Sequence, residues 1–318
     1  RTFTERTSDT YQIYFGQLHS HTNISDGSGS VEEAFAHASN VKGLDFLAVT
    51  DHSNSFDGAD SGVLAQDGST VSDEWKQGHE AAANVTDGDF VGLYGFEMTW
   101  SNGLGHMNTF NTPGWQSRTQ SNFTTYSTAL QNYYAALATV PESISQFNHP
   151  GTTFGDFSDF AHYTDAYDAL ITLIEVGNGE GQIGAGGYYP SYEYYTMALD
   201  KGWHVAPTNN QDNHKGKWGN ANDARDVVLT DDFSEEGIYE AIRAYRVYAT
   251  EDKNLEIGYT VNGMLLGSII DQVPEKLSFQ VTLFDPDSAD SISKVEVIVN
   301  SGKTAYTWSD PAVLATGN

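Results

Sequence analysis

Along the first 250 positions, short apolar runs alternate with segments in which apolar residues recur at helical spacing. The run Asp45–Thr50 is typical of a buried strand, and the segment Val31–Asn40 before it opens with Ser30 and Glu33 in capping-box spacing. Other strand-like runs are Phe90–Glu97, Ile144–Pro150, Leu170–Asn178 and His204–His214, and the later helix-like segments are Tyr192–Lys201 and Ser234–Tyr245. This alternation predicts parallel strands joined by crossover helices.

The pattern changes after Tyr248, where three alternating apolar and polar runs follow one another with no helical segment between them. We therefore expect an α/β domain over residues 1–251 and a small antiparallel, sandwich-like β module over residues 252–318. The stretch from Tyr306 is either the last strand of that module or the cut edge of a longer protein, and both interpretations stay open.

The charge balance narrows the range of partners. The chain has 318 residues, 15 of them Lys or Arg and 43 Asp or Glu, which gives a net charge of −28. Such an acidic surface disfavours nonspecific binding to nucleic acid or anionic lipid, so we expect no nucleic-acid groove. No apolar run approaches the roughly 18 residues that a membrane span needs.

The absence of cysteine excludes thiolate metal sites and disulfides, so any metal ligands must be His, Asp or Glu. Lysine is scarce, whereas Gly, Ser, Thr, Asn and Tyr are abundant, and the first residue is Arg. We interpret this as an extracellular or cell-surface bacterial protein whose signal peptide has been removed or trimmed.

Polar side chains of metal-binding type recur where the predicted strands end. They are His19 and His21, Asp51 and His52, Glu97, His149, and Asp212 with His214. In a parallel barrel the carboxyl ends of the strands form one face, and active sites are built there. Spacing of two residues along an extended chain puts two side chains on one side, so His19 with His21, and Asp212 with His214, are each able to share an ion. Imidazole and carboxylate ligands suit Zn, Mn or Fe.

Several candidates keep two interpretations. Taken alone, Asp26 is a turn residue and His106 a loop histidine; Asp51 is expected to orient His52 or its loop, and Glu175 either to hold a loop or to meet substrate. The basic cluster Lys215, Lys217 and Arg225 either binds a phosphate or forms a solvated loop. The aromatic residues with a pocket or a core role are Trp100, Trp218 and the tyrosines of residues 188–195.

With these motifs in view, residues 12–250 resemble the PHP family, named for polymerase and histidinol phosphatase domains. The motifs are HSHTNISDG, GLDFLAVTDH, GFE followed by GH, NHP and QDNH, in that order. The later stretch RAYRVYATEDKNLEIGYTVNGMLLGS is most similar to the branch that includes carbaryl hydrolase. The resemblance implies a distorted (β/α)7 barrel with a cluster of two or three divalent ions.

The resemblance also implies which residues hold each ion. The first set is His19, His21, Glu97 and Asp212; the second is Glu97, His106 and His149; the third is Asp26, His52 and His214. Glu97 would bridge the first two ions. Glu97, His52 and Asp212 are the residues predicted to act in catalysis. His106 lies only nine residues beyond Glu97, whereas many relatives have a longer gap.

These expectations favour a metal-dependent phosphoesterase that cleaves a phosphomonoester or phosphodiester with a metal-bridging hydroxide as nucleophile. The substrate would be a small-molecule or glycan-linked phosphoester, contacted by Lys215, Lys217 and Arg225. A carbamate, ester or amide hydrolase that uses the same cluster is the alternative, and a non-catalytic binding protein is the third hypothesis. A metal-bound water or His162 or His204 would protonate the leaving group, and the sequence does not choose among them.

Overall fold

Seven α-helical segments, besides three short 3-10 turns, are present in the computed structural model, which describes residues 2–4, 10–270, 272 and 274–309. They are α1 (Val31–Ala38), α2 (Asp73–Val85), α3 (Tyr126–Leu137), α4 (Phe157–Phe160), α5 (Asp165–Asp168), α6 (Tyr192–Asp200) and α7 (Glu235–Arg243). The α4 segment is a left-handed turn, with φ between 53° and 60° at its four residues. Within these residues no helix is long and apolar enough to cross a bilayer.

The strands form one large curled sheet and two small sheets. They are β1 (Thr2–Thr4), β2 (Thr10–Gln17), β3 (Phe46–Val49), β4 (Val91–Thr99), β5 (His106–Phe110), β6 (Ile144–Asn148), β7 (Ile171–Asn178), β8 (Tyr189–Pro190), β9 (Ala206–Asn210), β10 (Arg225–Thr230), β11 (Val247–Thr250), β12 (Glu256–Val261), β13 (Met264–Leu265), β14 (Phe279–Phe284), β15 (Val295–Val299) and β16 (Lys303–Trp308). The large sheet has the order β11-β10-β2-β3-β4-β5-β6-β7-β8, with β1 beside β2 and β9 beside β7.

The predicted α/β class is confirmed, whereas the strict (β/α)7 alternation is not. Strands β2, β3 and β4 are parallel, as are β6, β7 and β9. Strand β5 pairs antiparallel with both β4 and β6, and β10 pairs antiparallel with both β2 and β11. Both reversed strands follow their predecessors without an intervening helix, so the sheet is mixed. The carboxyl ends of the parallel strands nevertheless meet on one face.

Side chains link β9 to β10 and β11 where the described residues show no backbone pairing. The Asn209 backbone N–H donates to Asp226 Oδ1 at 2.6 Å, and its side-chain amide donates to the carbonyl of Thr250 at 3.1 Å. Asp226 Oδ2 accepts from the backbone N–H of Leu18 at 2.9 Å. Asp226 is fully buried and therefore holds the ends of β2 and β9 together, close to the polar residues that follow both strands.

The core lies in layers on the two faces of the large sheet. In β3, Leu47 and Val49 join the apolar cluster beneath α1, α2 and α3, whereas Phe46 and Ala48 join the cluster that contains α7. Helix α1 begins as predicted, since Ser30 and Glu33 make both capping-box hydrogen bonds. With both faces covered, the sheet presents its polar side chains at the strand ends.

Beyond Thr250 the chain forms small antiparallel sheets, as the alternating pattern predicts. Strands β13, β12 and β14 make one sheet, and β15 pairs with β16 in another. Residues Ile257, Leu265 and Leu266 pack against apolar side chains of β2, β10 and β11. Whether residues 252–318 are a separate domain stays a prediction. The end of the stretch from Tyr306, residues 310–318, lies outside the described residues.

Candidate metal centre

The two histidines after β2 are buried, and their side chains converge. His19 Nε2 and His21 Nε2 lie 3.2 Å apart, as expected for side chains two residues apart on one side of an extended chain. Asp212, which follows β9, places its Oδ1 3.2 Å from His19 Nε2 and 3.0 Å from His21 Nε2. Residues almost two hundred positions apart therefore meet at one point.

The hydrogen-bond network assigns the tautomers of these histidines. His19 Nδ1–H donates to Glu175 Oε1 at 2.9 Å, and His21 Nδ1–H donates to Ser25 Oγ at 3.3 Å. Both Nε2 atoms consequently point at each other and at Asp212. Asp212 Oδ1 is buried and receives no hydrogen bond from the described residues. Two imidazole nitrogens and one carboxylate oxygen thus face one another at 3.0 to 3.2 Å.

Glu97, at the end of β4, lies at the centre of the cluster and is 1% exposed. Its carboxylate faces five histidines, at 2.7 to 3.6 Å from His19, His21, His52, His106 and His149. Oε1 is the oxygen nearer to His19, His106 and His149, and Oε2 is the oxygen nearer to His21 and His52. One carboxylate therefore serves two sides of the cluster, as the predicted bridging role requires.

His106 reaches the cluster because the chain reverses immediately after Glu97. Strands β4 and β5 form an antiparallel pair in which Thr99 lies opposite His106. The Nδ1 atom of His106 lies 3.3 Å from Glu97 Oε1, so the gap of nine residues is long enough to bring His106 to Glu97. The interpretation of His106 as an ordinary loop histidine is therefore wrong. His149, which follows β6, places Nε2 3.4 Å from the same oxygen.

A third group lies beside the first two. Asp26 Oδ1 is 3.4 Å from His52 Nε2 and 3.2 Å from His214 Nε2. His214 donates its Nδ1–H to the carbonyl of Asp212 at 2.8 Å, which leaves its Nε2 lone pair directed at Asp26. Asp26 is 63% exposed, so this group is open to solvent.

Asp51 holds the loop that carries Asp26. Its carboxylate accepts hydrogen bonds from the backbone and hydroxyl groups of Thr22 and Ser25, at 2.5 to 3.2 Å. The residue is fully buried, and its oxygens are occupied by these four donors. The interpretation of Asp51 as a residue that orients its surroundings fits this arrangement.

The charges of the cluster keep its carboxylates ionised. Burial opposes ionisation, but the nearby histidines, His19 first among them, hold the pKa of Glu97 and of Asp212 well below the usual carboxyl range. Burial also disfavours charge on His52, yet Glu97 and Asp26 raise the pKa of His52 to about 10. Burial is the main reason that the pKa of His21 is lowered.

The donor set fits divalent cations. Two ligand atoms about 2.1 Å from one ion at a tetrahedral angle lie about 3.4 Å apart, and the separations here run from 3.0 to 3.6 Å. Near the strand ends, three groups of described residues place ligand atoms within 4.8 Å of one another: His19, His21 and Asp212; His19, Glu97 and His149; and His21, Asp26, His52 and His214. Imidazole and carboxylate donors suit Zn, Mn and Fe alike.

Several supporting residues were not predicted or were left open. Asn148 donates from Nδ2 to Glu97 Oε1 at 2.8 Å and orients that carboxylate. Glu175 accepts from His19 and, at 2.6 Å, from the backbone N–H of His149. The sequence feature that pointed to Glu175 was its position at the end of a predicted strand. Nothing in the sequence marked Asn148 beyond its place beside His149.

A pocket of about 690 Å³ opens onto His149 and Asp212, and Lys215 lines it. Lys217 does not line this pocket. Arg225 is 3% exposed, and its Nη1 donates to the carbonyls of Asn222 and Ala224. The predicted substrate contact by Arg225 is therefore corrected, because burial at the start of β10 fixes the guanidinium on the backbone.

The predicted aromatic residues divide between the core and the pocket. Trp100 and Trp218 are buried, and Trp218 Nε1 donates to the carbonyl of His21 at 2.9 Å. Both tryptophans are therefore structural. Tyr189 and Tyr194 line the pocket.

The two histidines proposed as proton donors are not among the residues brought together here. His204 pairs with Asp168 at 2.7 Å and lines a different cleft. The ring of His162 lies near Tyr134, with 6.5 Å between the ring centroids.

Comparisons with known proteins find structural neighbours only. No protein-family model matches the chain, and a search of the curated proteins finds no match. A two-domain protein from Bacteroides vulgatus ATCC 8482 that contains a predicted PHP-like metal-dependent phosphoesterase is 18% identical, with a TM-score of 0.49. The match covers 89% of this chain and 79% of that one.

Two other solved structures are 14% identical. The lesion-specific endonuclease Q of Pyrococcus furiosus has a TM-score of 0.43, with 75% of this chain and 58% of that chain covered. An amidohydrolase from Chromobacterium violaceum with bound sulfate and no metal has a TM-score of 0.38, with 63% and 87% covered. Since all three scores lie below 0.5, no function passes from these structures to this chain.

Proposed function

We propose that this protein is a metal-dependent hydrolase that cleaves a phosphomonoester or phosphodiester. The observation that carries the proposal is the meeting of His19 Nε2, His21 Nε2 and Asp212 Oδ1 at 3.0 to 3.2 Å from one another. Two imidazoles and a carboxylate that converge in this way form a ligand set typical of divalent cations. Glu97 joins this group to the histidines beyond it, which supports a cluster of two or three ions.

Three sets of side chains would each hold one ion. The first ion would be held by His19, His21, Glu97 and Asp212, the second by Glu97, His106 and His149, and the third by Asp26, His52 and His214, sets whose members lie 3.0 to 3.6 Å apart in the pairs described above. When bound, divalent cations lower the pKa of water towards neutrality and offset charge on ester oxygens.

The supporting hydrogen bonds keep these side chains in place. Glu175 fixes the ring orientation of His19 and keeps its Nδ1 protonated, so Nε2 stays free to bind. Asn148 fixes Glu97, and His52 Nδ1 hydrogen-bonds to Thr99 Oγ1 at 2.8 Å and lies 2.7 Å from Glu97 Oε2. The acidic surface supplies few positive charges for an anionic ester, so the phosphoryl group would depend on the ions for recognition.

An acyl hydrolase is the second candidate, and a specific observation favours it. Of the three basic residues predicted to contact phosphate, Arg225 is buried and Lys217 does not line the pocket. Lys215 is paired with Glu180 at 2.5 Å. A neutral carbamate, ester or amide needs no such cations. The expected likeness to the carbaryl-hydrolase branch belongs with this candidate.

The remaining expectations are proposals as well. A non-catalytic binding protein is the third candidate, with the antiparallel β module as the binding part. The net charge of −28 supports a partner other than nucleic acid. Composition supports an extracellular or cell-surface location.

The test is hydrolysis of four p-nitrophenyl substrates by protein reconstituted with Zn, Mn or Fe. They are a phosphate monoester, a phosphate diester, an acetate and an aryl carbamate. Glu97→Ala is the inactive control, and Asp168→Asn is the matched variant outside the centre. Glu97-dependent release from the phosphates alone supports the proposal, whereas release from the acyl substrates alone overturns it in favour of the second candidate. No release of p-nitrophenol from any of the four substrates favours the third candidate, a non-catalytic binding protein.

A further inference from the structure

The pocket beside the candidate metal centre has features that limit the organic part of its ligand. Its volume of about 690 Å³ lies within the range of small-molecule sites. Its walls come from the chain that follows β6, β7 and β9, and the ligand residues His149 and Asp212 form one end. A molecule whose reacting group lies at the centre would therefore place the rest of its structure in this pocket.

An exposed aromatic side chain, that of Phe154, lies at the junction of pocket and centre. Gly151 and Gly155 exchange backbone hydrogen bonds of 3.0 and 2.9 Å, which closes a tight loop with Phe154 on it. Phe154 is 44% exposed, and its ring centroid lies 4.7 Å from that of His149 and 4.9 Å from that of His106. Gly155 has φ of +122°, and a Cβ there would meet the Gly103 carbonyl oxygen at 2.1 Å.

A second exposed aromatic side chain lines the same pocket. Tyr189 is 66% exposed and belongs to β8, where it lies opposite Asn178 at the end of β7. Asn178 itself donates to Glu175, the carboxylate that orients His19. Large apolar rings exposed in a concave site, rather than packed in the core, are typical of ligand contact.

The charges of the pocket disfavour an anionic organic group. Lys215 is the basic residue that lines it, and this lysine already pairs with Glu180. Glu193 also lines the pocket, and no ion pair or side-chain hydrogen bond involves its carboxylate among the described residues. With Asp212 at one end, the three carboxylates of Glu180, Glu193 and Asp212 line the pocket against one lysine and repel a further negative charge, and carboxylates accept hydrogen bonds from hydroxyl groups.

We propose that this pocket binds the uncharged, hydroxyl-bearing ring of a sugar, so that the substrate is a sugar ester. The faces of Phe154 and Tyr189 would pack against the C–H face of the ring, and Glu193 would accept hydrogen bonds from its hydroxyls. The inference rests on the proposed function only for the ester itself, since the ring would be recognised whether or not the ester is cleaved.

Binding of neutral probes tests the inference without turnover. Saturation-transfer NMR is recorded on zinc-reconstituted protein with the methyl glycosides of glucose, galactose and mannose, which carry no ester, and with benzyl alcohol. We expect transfer to the ring protons of at least one glycoside and affinity about 3- to 10-fold lower in Phe154→Ala and Tyr189→Ala. Tyr189→Phe should bind like the wild type. Tyr126→Ala, which removes a tyrosine 52% exposed on α3, is the matched control.

Two results would overturn the inference. Transfer to benzyl alcohol alone, with the same dependence on Tyr189 and Phe154, would mean that the pocket takes an aryl ring. Transfer to no probe, or transfer unchanged in both alanine variants, would mean that the pocket does not recognise a ring. The NMR experiment measures binding and no hydrolysis. If the p-nitrophenyl assay shows no phosphoesterase activity, the binding result for the sugar ring therefore still stands on its own.

Discussion

Glu175 Oε1 accepts the Nδ1–H of His19 at 2.9 Å, and both side chains are fully buried. The other oxygen of Glu175 accepts the backbone N–H of His149 at 2.6 Å. One carboxylate thus positions two residues of the candidate metal centre. Carboxylates that fix a ligand histidine in this way raise its basicity and set its orientation.

Replacing Glu175 should weaken metal binding without removing a ligand. In Glu175→Gln the amide is a weaker acceptor, so the ring of His19 is less firmly oriented. We expect metal affinity about 10- to 100-fold lower, measured by competition with a chromogenic chelator. Asp168→Asn is the control, because Asp168 makes the same kind of bond to His204 outside the centre. Equal affinity in Glu175→Gln and wild type would show that this contact is only structural.

Asp51→Asn should affect one group of ligands more than the others. The amide would turn two hydrogens towards donors of Thr22 and Ser25, so the loop that carries Asp26 would move. We expect the ion held by Asp26, His52 and His214 to be lost, while the ions that share Glu97 remain.

Equilibrium dialysis followed by elemental analysis measures this change in stoichiometry. Asp57→Asn is the matched variant, since Asp57 accepts from a hydroxyl and two backbone N–H groups at the start of α2. An equal loss in both variants would point to general destabilisation instead.

Replacement of Lys215 and replacement of Lys217, the two lysines near the QDNH motif, should have different effects on substrate binding. Lys215 lines the pocket and is 75% exposed in its pair with Glu180, so its contribution to binding is modest. Lys215→Ala should raise the KM for a phosphoester about 2- to 5-fold, and Lys217→Ala should leave it unchanged. Steady-state kinetics measures both. A comparable rise in Lys217→Ala would contradict the assignment of the pocket, and a KM unaffected in both would favour the acyl alternative.

Acidification should destabilise the fold through a histidine far from the centre. Burial lowers the pKa of His79 to about 4, beside the rings of Trp75 and Tyr94. The unfolded chain titrates near 6.5, so it takes up the proton first, and stability is lost as the pH falls from about 6.5 towards 4.

Urea unfolding of metal-free wild type and His79→Gln at several pH values measures this effect. The wild type should lose about 1 kcal/mol more per pH unit than the variant in that range. Parallel pH dependences would show that His79 does not couple folding to protons.

The spacing of polar residues predicted much of the site because strand geometry is regular. His19 and His21, two apart after a strand, had to share one side, and the strand ends had to meet on one face. His106 was less secure because its approach depends on a reversal of the chain after Glu97, and apolar periodicity did not reveal strand β5.

The residues that contact substrate were harder to predict, because loops and inserted strands determine which side chains are exposed. Arg225 follows the QDNH motif closely in sequence, but it begins strand β10, which turns it into the protein. Trp218 likewise lies beneath His21 and supports its backbone. Sequence proximity to a motif therefore predicted a shared region and did not predict which side chains face the ligand.

The most direct test of the metal centre is the metal content of the chain after equilibrium with Zn, Mn or Fe, compared between wild type and Glu97→Ala. The account predicts two or three ions bound by the wild type and fewer by the variant, because Glu97 faces both sides of the cluster. A wild-type chain that binds no ion, or a variant that binds as many as the wild type, would contradict it.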